Sequence, residues 1–297
     1  MNKLKKYTEY MILAVIAALL LLYIIFRSAG NINYVLPETT DVEQELISRI
    51  TIDGPMSLEF SKSDDQWFIQ PEGWHAENSN LTAISKALAE LKLVDLISTS
   101  GNPGIYALDE EQRVLVKAFN GDTLVREIYV GKVSNNGIYT YIMFPGDENI
   151  YSVRGNLPSR VKDRNSMRDK RFVQIDRNTT LKMTLRGGSA PMQAIFKDAD
   201  GVWRSITGEP DDAAVKAAVN MLDPLRCKDF IYEAPADSPE WIIDILTEDG
   251  IVNLEIWAET DDEIYPARCS QNGYMVQMTP YATEKLLGVF GVEFAEK

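Results

Sequence analysis

Apolar residues fall on every second position in Met56, Leu58 and Phe60, and at helical spacing in Leu81, Ile84, Leu88 and Leu91. The first pattern predicts a half-buried strand. The second predicts an amphipathic helix over 78–97, with Asn78, Ser79 or Asn80 available as its cap. Downstream, "RVLVKAFNGDTLVREIYVG" (113–131) sets two apolar-rich runs on either side of an Asn-Gly pair. Asn-Gly supplies the positive φ angles that a tight hairpin turn needs, so this stretch predicts two antiparallel strands.

The same patterns return later in the chain. Aligned without a gap, Pro55, Met56, Phe60 and Trp67 fall on Pro191, Met192, Phe196 and Trp203. "EPDDAAVKAAVNMLDPL" (209–225) repeats the helix, with Pro224 placed to end or kink it. "WIIDILTEDGIVNLEIWAE" (241–259) repeats the hairpin around Asp-Gly, and "SNNGIYTYIMF" (134–144) falls on "TDDEIYPARCS" (260–270). Each copy then closes on a short helix, near 157–163 and 279–290. The unit predicted is βββ-α-ββ-ββ-α. Its length exceeds that of solenoid repeats, so two tandem duplicated domains are expected, at 48–175 and 176–297. Antiparallel sheets with helices packed on them read as an α+β architecture.

The N-terminus breaks this pattern. "MILAVIAALLLLYIIF" (11–26) carries no charge, and Lys3, Lys5 and Lys6 precede it. Extended over residues 7–29, such a run predicts a single transmembrane helix with its short N-terminus inside and the body outside. Residues 1–30 are then the anchor and 31–47 a linker. A cleaved signal peptide is the competing reading, with Ser28 and Gly30 as small residues for cleavage, but Arg27 interrupts that pattern.

The formal net charge is −14, and the apolar N-terminal segment is itself basic, so the body is more acidic still. This excludes nucleic acid as a partner, because phosphate binding needs a basic footprint. One segment runs against the acidic body. "RGNLPSRVKDRNSMRDKR" (154–171) holds seven Arg and Lys against two Asp, at the junction between the copies. Arg160, Lys162, Arg164, Arg168, Lys170 and Arg171 are the candidate contacts to an acidic partner or to anionic headgroups. The plainer alternative is that they pair with the acidic faces of both domains and orient them.

Little else points to chemistry. His75 is the single histidine, which leaves no histidine-based metal set and no duplicated catalytic base. There is no P-loop, no G-x-G-x-x-G and no G-x-S-x-G. Asp198, Asp200 and Gly201 imitate half of a calcium loop, but Trp203 and Arg204 follow where further oxygen ligands are required, and the first copy reads as a polar turn there. The acidic run at 260–263 likewise aligns with a turn. Matched aromatics, Trp67 with Trp203 and Tyr139 with Tyr265, read as core packing before any carbohydrate platform. Cys227 and Cys269 are too few for a disulfide framework; whether they are bonded stays open. No catalytic, cofactor or metal residue is therefore expected.

Tyr106, Leu108, Asp109, the turn glycine Gly121, the pair Val130-Gly131, Tyr139 or Tyr141, and Ile150-Tyr151-x-Val153 follow one another in a fixed order. In order and spacing they resemble the bacterial domain of unknown function 4340 family, and "MRDKRFVQID" (167–176) resembles that family's linker into its next repeat. Ala107 stands where the family usually has Gly. The resemblance implies no activity and no catalytic residues. It implies a membrane-anchored protein similar to components found beside ABC-type export systems and gliding-associated proteins. The favoured reading is a non-enzymatic membrane-anchored accessory or interaction protein of the cell envelope, in contact with an ABC-type transport complex. Two alternatives stay open: an extracytoplasmic glycan- or lipid-binding module, and a hydrolase using paired carboxylates.

Overall fold

The computed structural model describes residues 2–28, 34–99, 101–188, 191–260 and 262–294, and within the first helix the side chains of 10–23. Ala29 and Gly30 of the expected anchor, the start of the expected linker, Asp261 of the acidic turn and the last three residues lie outside this set.

Helix α1 (Asn2–Ser28) opens the chain. Its residues 10–23 are exposed throughout. Among the described residues no helix is long and apolar enough to cross a membrane. This corrects the expected single-pass anchor through 7–29, and with it the expected placement in the cytoplasmic membrane with the N-terminus inside.

The first repeat contains β1 (Arg49–Asp53), β2 (Ser57–Ser63), β3 (Gln66–Gln70) and a short edge strand β4 (Trp74–His75), followed by helix α2 (Asn78–Ala89). Then come β5 (Leu93–Ser98), β6 (Val114–Asn120), β7 (Thr123–Val133), β8 (Tyr139–Met143) and β9 (Ile150–Arg154). A linking strand β10 (Arg171–Val173) leads to β11 (Thr180–Gly187), β12 (Gln193–Lys197), β13 (Trp203–Ser205) and helix α3 (Asp212–Met221). The second repeat finishes with β14 (Leu225–Arg226), β15 (Asp229–Phe230), β16 (Trp241–Thr247), β17 (Gly250–Ile256), β18 (Tyr265–Cys269), β19 (Met275–Met278) and helix α4 (Pro280–Gly288).

The strand orders show the kinship of the halves. The nine-stranded sheet runs β4-β3-β2-β1-β6-β7-β8-β9-β5, and the eight-stranded sheet runs β13-β12-β11-β16-β17-β18-β19-β15. Strand for strand the orders coincide, except that β4 has no counterpart. Local chemistry sets the hairpins. Asn120 pairs with Thr123 across Gly121, and Thr247 pairs with Gly250. Register then aligns the apolar rows: Ile50 faces Phe60 and Ala118, and Ile52 faces Leu58 and Val116. All six are buried. A one-residue slip would turn the whole row to solvent.

The sheets dominate, and this overturns the α+β assignment and the simple βββ-α-ββ-ββ-α order. Among the described residues the architecture is mostly β, with two large antiparallel sheets and four α-helices. Short α2 and α3 serve as covers. Leu81, Ile84 and Leu88 of α2 are buried with Ile52, Leu58, Val116 and Val130, each contributing about 1.5–3 kcal/mol by leaving water. The cap of α3 is Asp211, which accepts from the backbone N–H groups of Ala213 and Ala214. α2 has no side-chain cap; Asn78 instead accepts from the Trp67 N–H and donates to the Asp65 carbonyl, tying the helix start to the β2–β3 hairpin. The sharpest asymmetry lies after the last strand of each repeat. The second ends in α4, whereas the first forms only a 3-10 turn, Pro158–Arg160.

Candidate functional site

The basic junction departs from a free surface run. Residues 167–169 pair along β4: the Glu77 N–H donates to the Met167 carbonyl at 2.8 Å and the Asp169 N–H to the His75 carbonyl at 2.9 Å. This pairing covers the one sheet edge that the second repeat lacks. It also turns the Arg168 side chain inward, where it is 4% exposed. Its guanidinium carbon sits 3.9 Å from the Trp74 ring centre, 3.3 Å from that of Phe230 and 4.9 Å from that of Tyr274. Trp74 belongs to the first repeat, Phe230 and Tyr274 to the second. A desolvated cation on aromatic faces is worth about 2 kcal/mol or more. Burial pulls the guanidinium below its usual basicity, and its Nε has no hydrogen-bond partner.

The other junction cations divide into two groups. Arg164 donates to the Gln70 carbonyl at 2.6 Å, pairs with Glu72, and lies 5.3 Å from the Trp74 ring centre. Arg171 grips Asp169 through Nε and Nη2, and the Lys170 ammonium donates to the Lys228 carbonyl at 2.6 Å. Arg226 adds a salt bridge to Glu77 across the repeats at 3.0 Å, and the Tyr232 hydroxyl donates to Asn165. Arg160 and Lys162 stand apart and exposed. The structure thus gathers Arg164, Arg168, Lys170 and Arg171 at the seam between repeats and leaves two of the six candidate cations facing solvent.

A second feature lies in the first repeat. A cavity of about 340 Å³ opens between the sheet, α2 and the segment around the 3-10 turn. Ile52, Leu58, Ile84, Leu88, Val116 and Val130 form its walls, and Lys132 and Lys162 also line it. Its volume is within the range of small-molecule sites, ~300–1,000 Å³.

The remaining candidates take structural roles. Asp198 accepts from the backbone N–H groups of Asp200 and Val202 and from Arg204 Nε, and these bonds hold its carboxyl below the ordinary value. Its oxygens serve the β12–β13 turn. His75 is exposed, its ring 4.8 Å from that of Phe68. Trp67, Trp203, Trp257 and Tyr265 are buried, so they form no stacking platform. Cys227 and Cys269 are free and buried, and burial pushes each thiol from its ordinary value up to about 11.

The resemblance residues also acquire a geometry. A Cβ placed on Gly131 would lie 2.3 Å from the Tyr106 carbonyl oxygen and 2.7 Å from Leu108 Cγ. Glycine there lets the Tyr106–Leu108 loop press on β7. Between them, Ala107 is left-handed, with φ 56°, which accounts for a glycine preference at that position. The family described as "Domain of unknown function (DUF4340)" matches residues 67–242. The chain belongs to the DUF4340 family. The DUF4340 match starts at Trp67 in β3, passes through Gly131 and Arg168, and ends in β16, so it takes in the seam between the repeats. No curated protein and no solved structure matches the chain.

The sequence reading missed Trp74, Phe230, Tyr274 and the recess. A signal existed for one of them. Trp74 lies in the only strand without a counterpart in the second copy, so core packing shared by the repeats does not account for it.

Proposed function

We propose that this DUF4340 protein is a non-enzymatic interaction protein, a rigid two-repeat unit that docks on an ABC-type transport assembly. The observation that supports this reading is the Arg168 seam. Arg168 is held by aromatics of both repeats and Lys170 reaches the Lys228 carbonyl, while Arg164 and Arg171 pair within the first repeat and the junction; two sheets of the same strand order joined in this way suit a body that presents a fixed surface more than one that closes on a substrate. Arg160 and Lys162 remain exposed beside the seam, cations on an acidic protein, and are the first contacts expected for an acidic partner surface. The choice of transport partner rests on the likeness to components found beside ABC-type export systems.

The test is in-cell crosslinking of a C-terminally tagged chain, followed by purification and mass spectrometry. Recovery of a transporter permease or auxiliary subunit, with crosslinks at 154–171 that fall in an Arg160→Gln, Lys162→Gln variant, supports the proposal. Recovery of the chain alone, or of a permease at unchanged yield from the variant, overturns it.

A further inference from the structure

Comparison of the two repeats explains why the recess exists. In the second repeat the chain leaves β19 and forms α4, and the helix with the turn that follows it buries Ala282, Leu286, Leu287 and Phe290 in the core. At the same point after β9 the first repeat forms only the three-residue turn Pro158–Arg160. The chain beyond that turn is drawn off to the seam, where Arg164 and Arg168 lie against Trp74. The residues that could cover the first core are thus used to join the repeats. The walls they leave behind are those of a core: Ile52, Leu58, Ile84, Leu88, Val116 and Val130 line the cavity, and all are buried. Where these walls border the cavity they lack contacts on that side, and a hydrocarbon chain placed there would add dispersion contacts.

We propose that this recess binds a single-chain anionic amphiphile, its acyl chain between α2 and the sheet and its head group at Lys132 and Lys162. Those two lysines are exposed and line the cavity, so the recess meets solvent beside them. One carboxylate, Asp163, shares the rim, but it is already engaged: it accepts from the Ser166 N–H at 3.0 Å and from the Ser166 hydroxyl at 2.5 Å. These bonds hold Asp163 ionised within its own turn instead of against Lys162. The mouth therefore carries two ammonium groups against one carboxylate, a net positive rim on a protein of net charge −14. Charge complementarity selects a carboxylate or phosphate head over a neutral one, and the apolar walls select a hydrocarbon tail over a sugar. The site shares Lys162 with the proposed docking surface, but its apolar walls and Lys132 take no part in that role, so binding of dodecanoate is read independently of it.

The experiment is titration calorimetry of the full chain with dodecanoate and, in parallel, with dodecanol, for the wild type, the Lys132→Gln, Lys162→Gln double variant, and Val116→Trp. Saturable one-to-one binding of dodecanoate is expected. The lysine variant should lose about three- to tenfold for dodecanoate and little for dodecanol. Val116→Trp fills the recess and should abolish both. Because that variant risks misfolding, a photoactivatable dodecanoate is used on the wild type as well, with label expected on peptides covering 52–58 and 156–163. Absence of saturable binding, or label spread over the surface, overturns the site. Equal loss for both ligands in the lysine variant overturns the anionic head. Uptake on anionic vesicles without one-to-one binding of dodecanoate overturns the single-chain occupant.

Discussion

The guanidinium carbon of Arg168 lies 3.3 Å from the centre of the Phe230 ring, and this contact joins the first repeat's edge to the second repeat's core. Trp74 closes the opposite side at 3.9 Å. Arg168→Ala is expected to lower stability by about 2–3 kcal/mol, from the lost cation–aromatic contacts and the void that remains. Arg168→Met should cost less, since it fills part of the space and removes the unpartnered Nε. Urea unfolding followed by tryptophan fluorescence measures both. Equal midpoints for wild type and Arg168→Ala would show that the contact carries no stability.

Gly131→Ala should be destabilising although the substitution is small and the backbone there is not left-handed. The new methyl would meet the Tyr106 carbonyl oxygen at 2.3 Å. Backbone has to shift to relieve that contact, at about 1–3 kcal/mol. Thermal unfolding checks it, and an unchanged melting temperature refutes the close approach.

Ala107→Gly should act in the opposite direction. Ala107 holds φ 56°. A left-handed alanine costs roughly 1–2 kcal/mol, while glycine adds ~0.4–1 kcal/mol of unfolded-state entropy, so a net gain of about 0.5 kcal/mol is expected. A drop in melting temperature would count against the strain.

The two thiols should be silent in the native state. With values raised to about 11 by burial, Cys227 and Cys269 are protonated at pH 8 and resist alkylation, and both should react once the chain is unfolded in urea. Because the folded values lie above those of the unfolded chain, the folded state holds these protons more tightly. The stability this contributes is complete below about pH 9 and is lost as the pH rises through about 11. Rapid labelling of either thiol in native protein at pH 8 would contradict their burial.

Local chemistry was legible at the turns and helix faces, but the helix expected over 78–97 stops at Ala89, and Leu93–Ser98 forms strand β5 instead. Asn-Gly and Asp-Gly marked the β6–β7 and β16–β17 hairpins, Pro224 marked the end of α3, and the spacing of Leu81, Ile84 and Leu88 marked the buried face of α2. Each of these signals acts within a few residues, by fixing a backbone angle or a periodic face. The candidate sites were less legible. The six junction cations look alike in the sequence, yet Arg168 is caged by aromatics from both repeats while Lys162 faces solvent. That difference comes from pairing between residues far apart in the chain, of Met167 with Glu77 and of Cys227 with Lys170. The apolar run near the N-terminus read correctly as helix, but among the described residues no helix is long and apolar enough to cross a membrane.

By itself, the sequence determined that two halves share one pattern, where their hairpin turns fall, and which family the order of motifs belongs to, because these depend on residue type and short-range spacing. Only the tertiary structure decided how the strands order into two large sheets, that Arg168 is enclosed, and that the first repeat keeps an open recess where the second is filled by Leu286 and Phe290. Those outcomes depend on which segment wins the space over a core, and here the chain after β9 is held at the seam by Trp74 and cannot also cover the sheet.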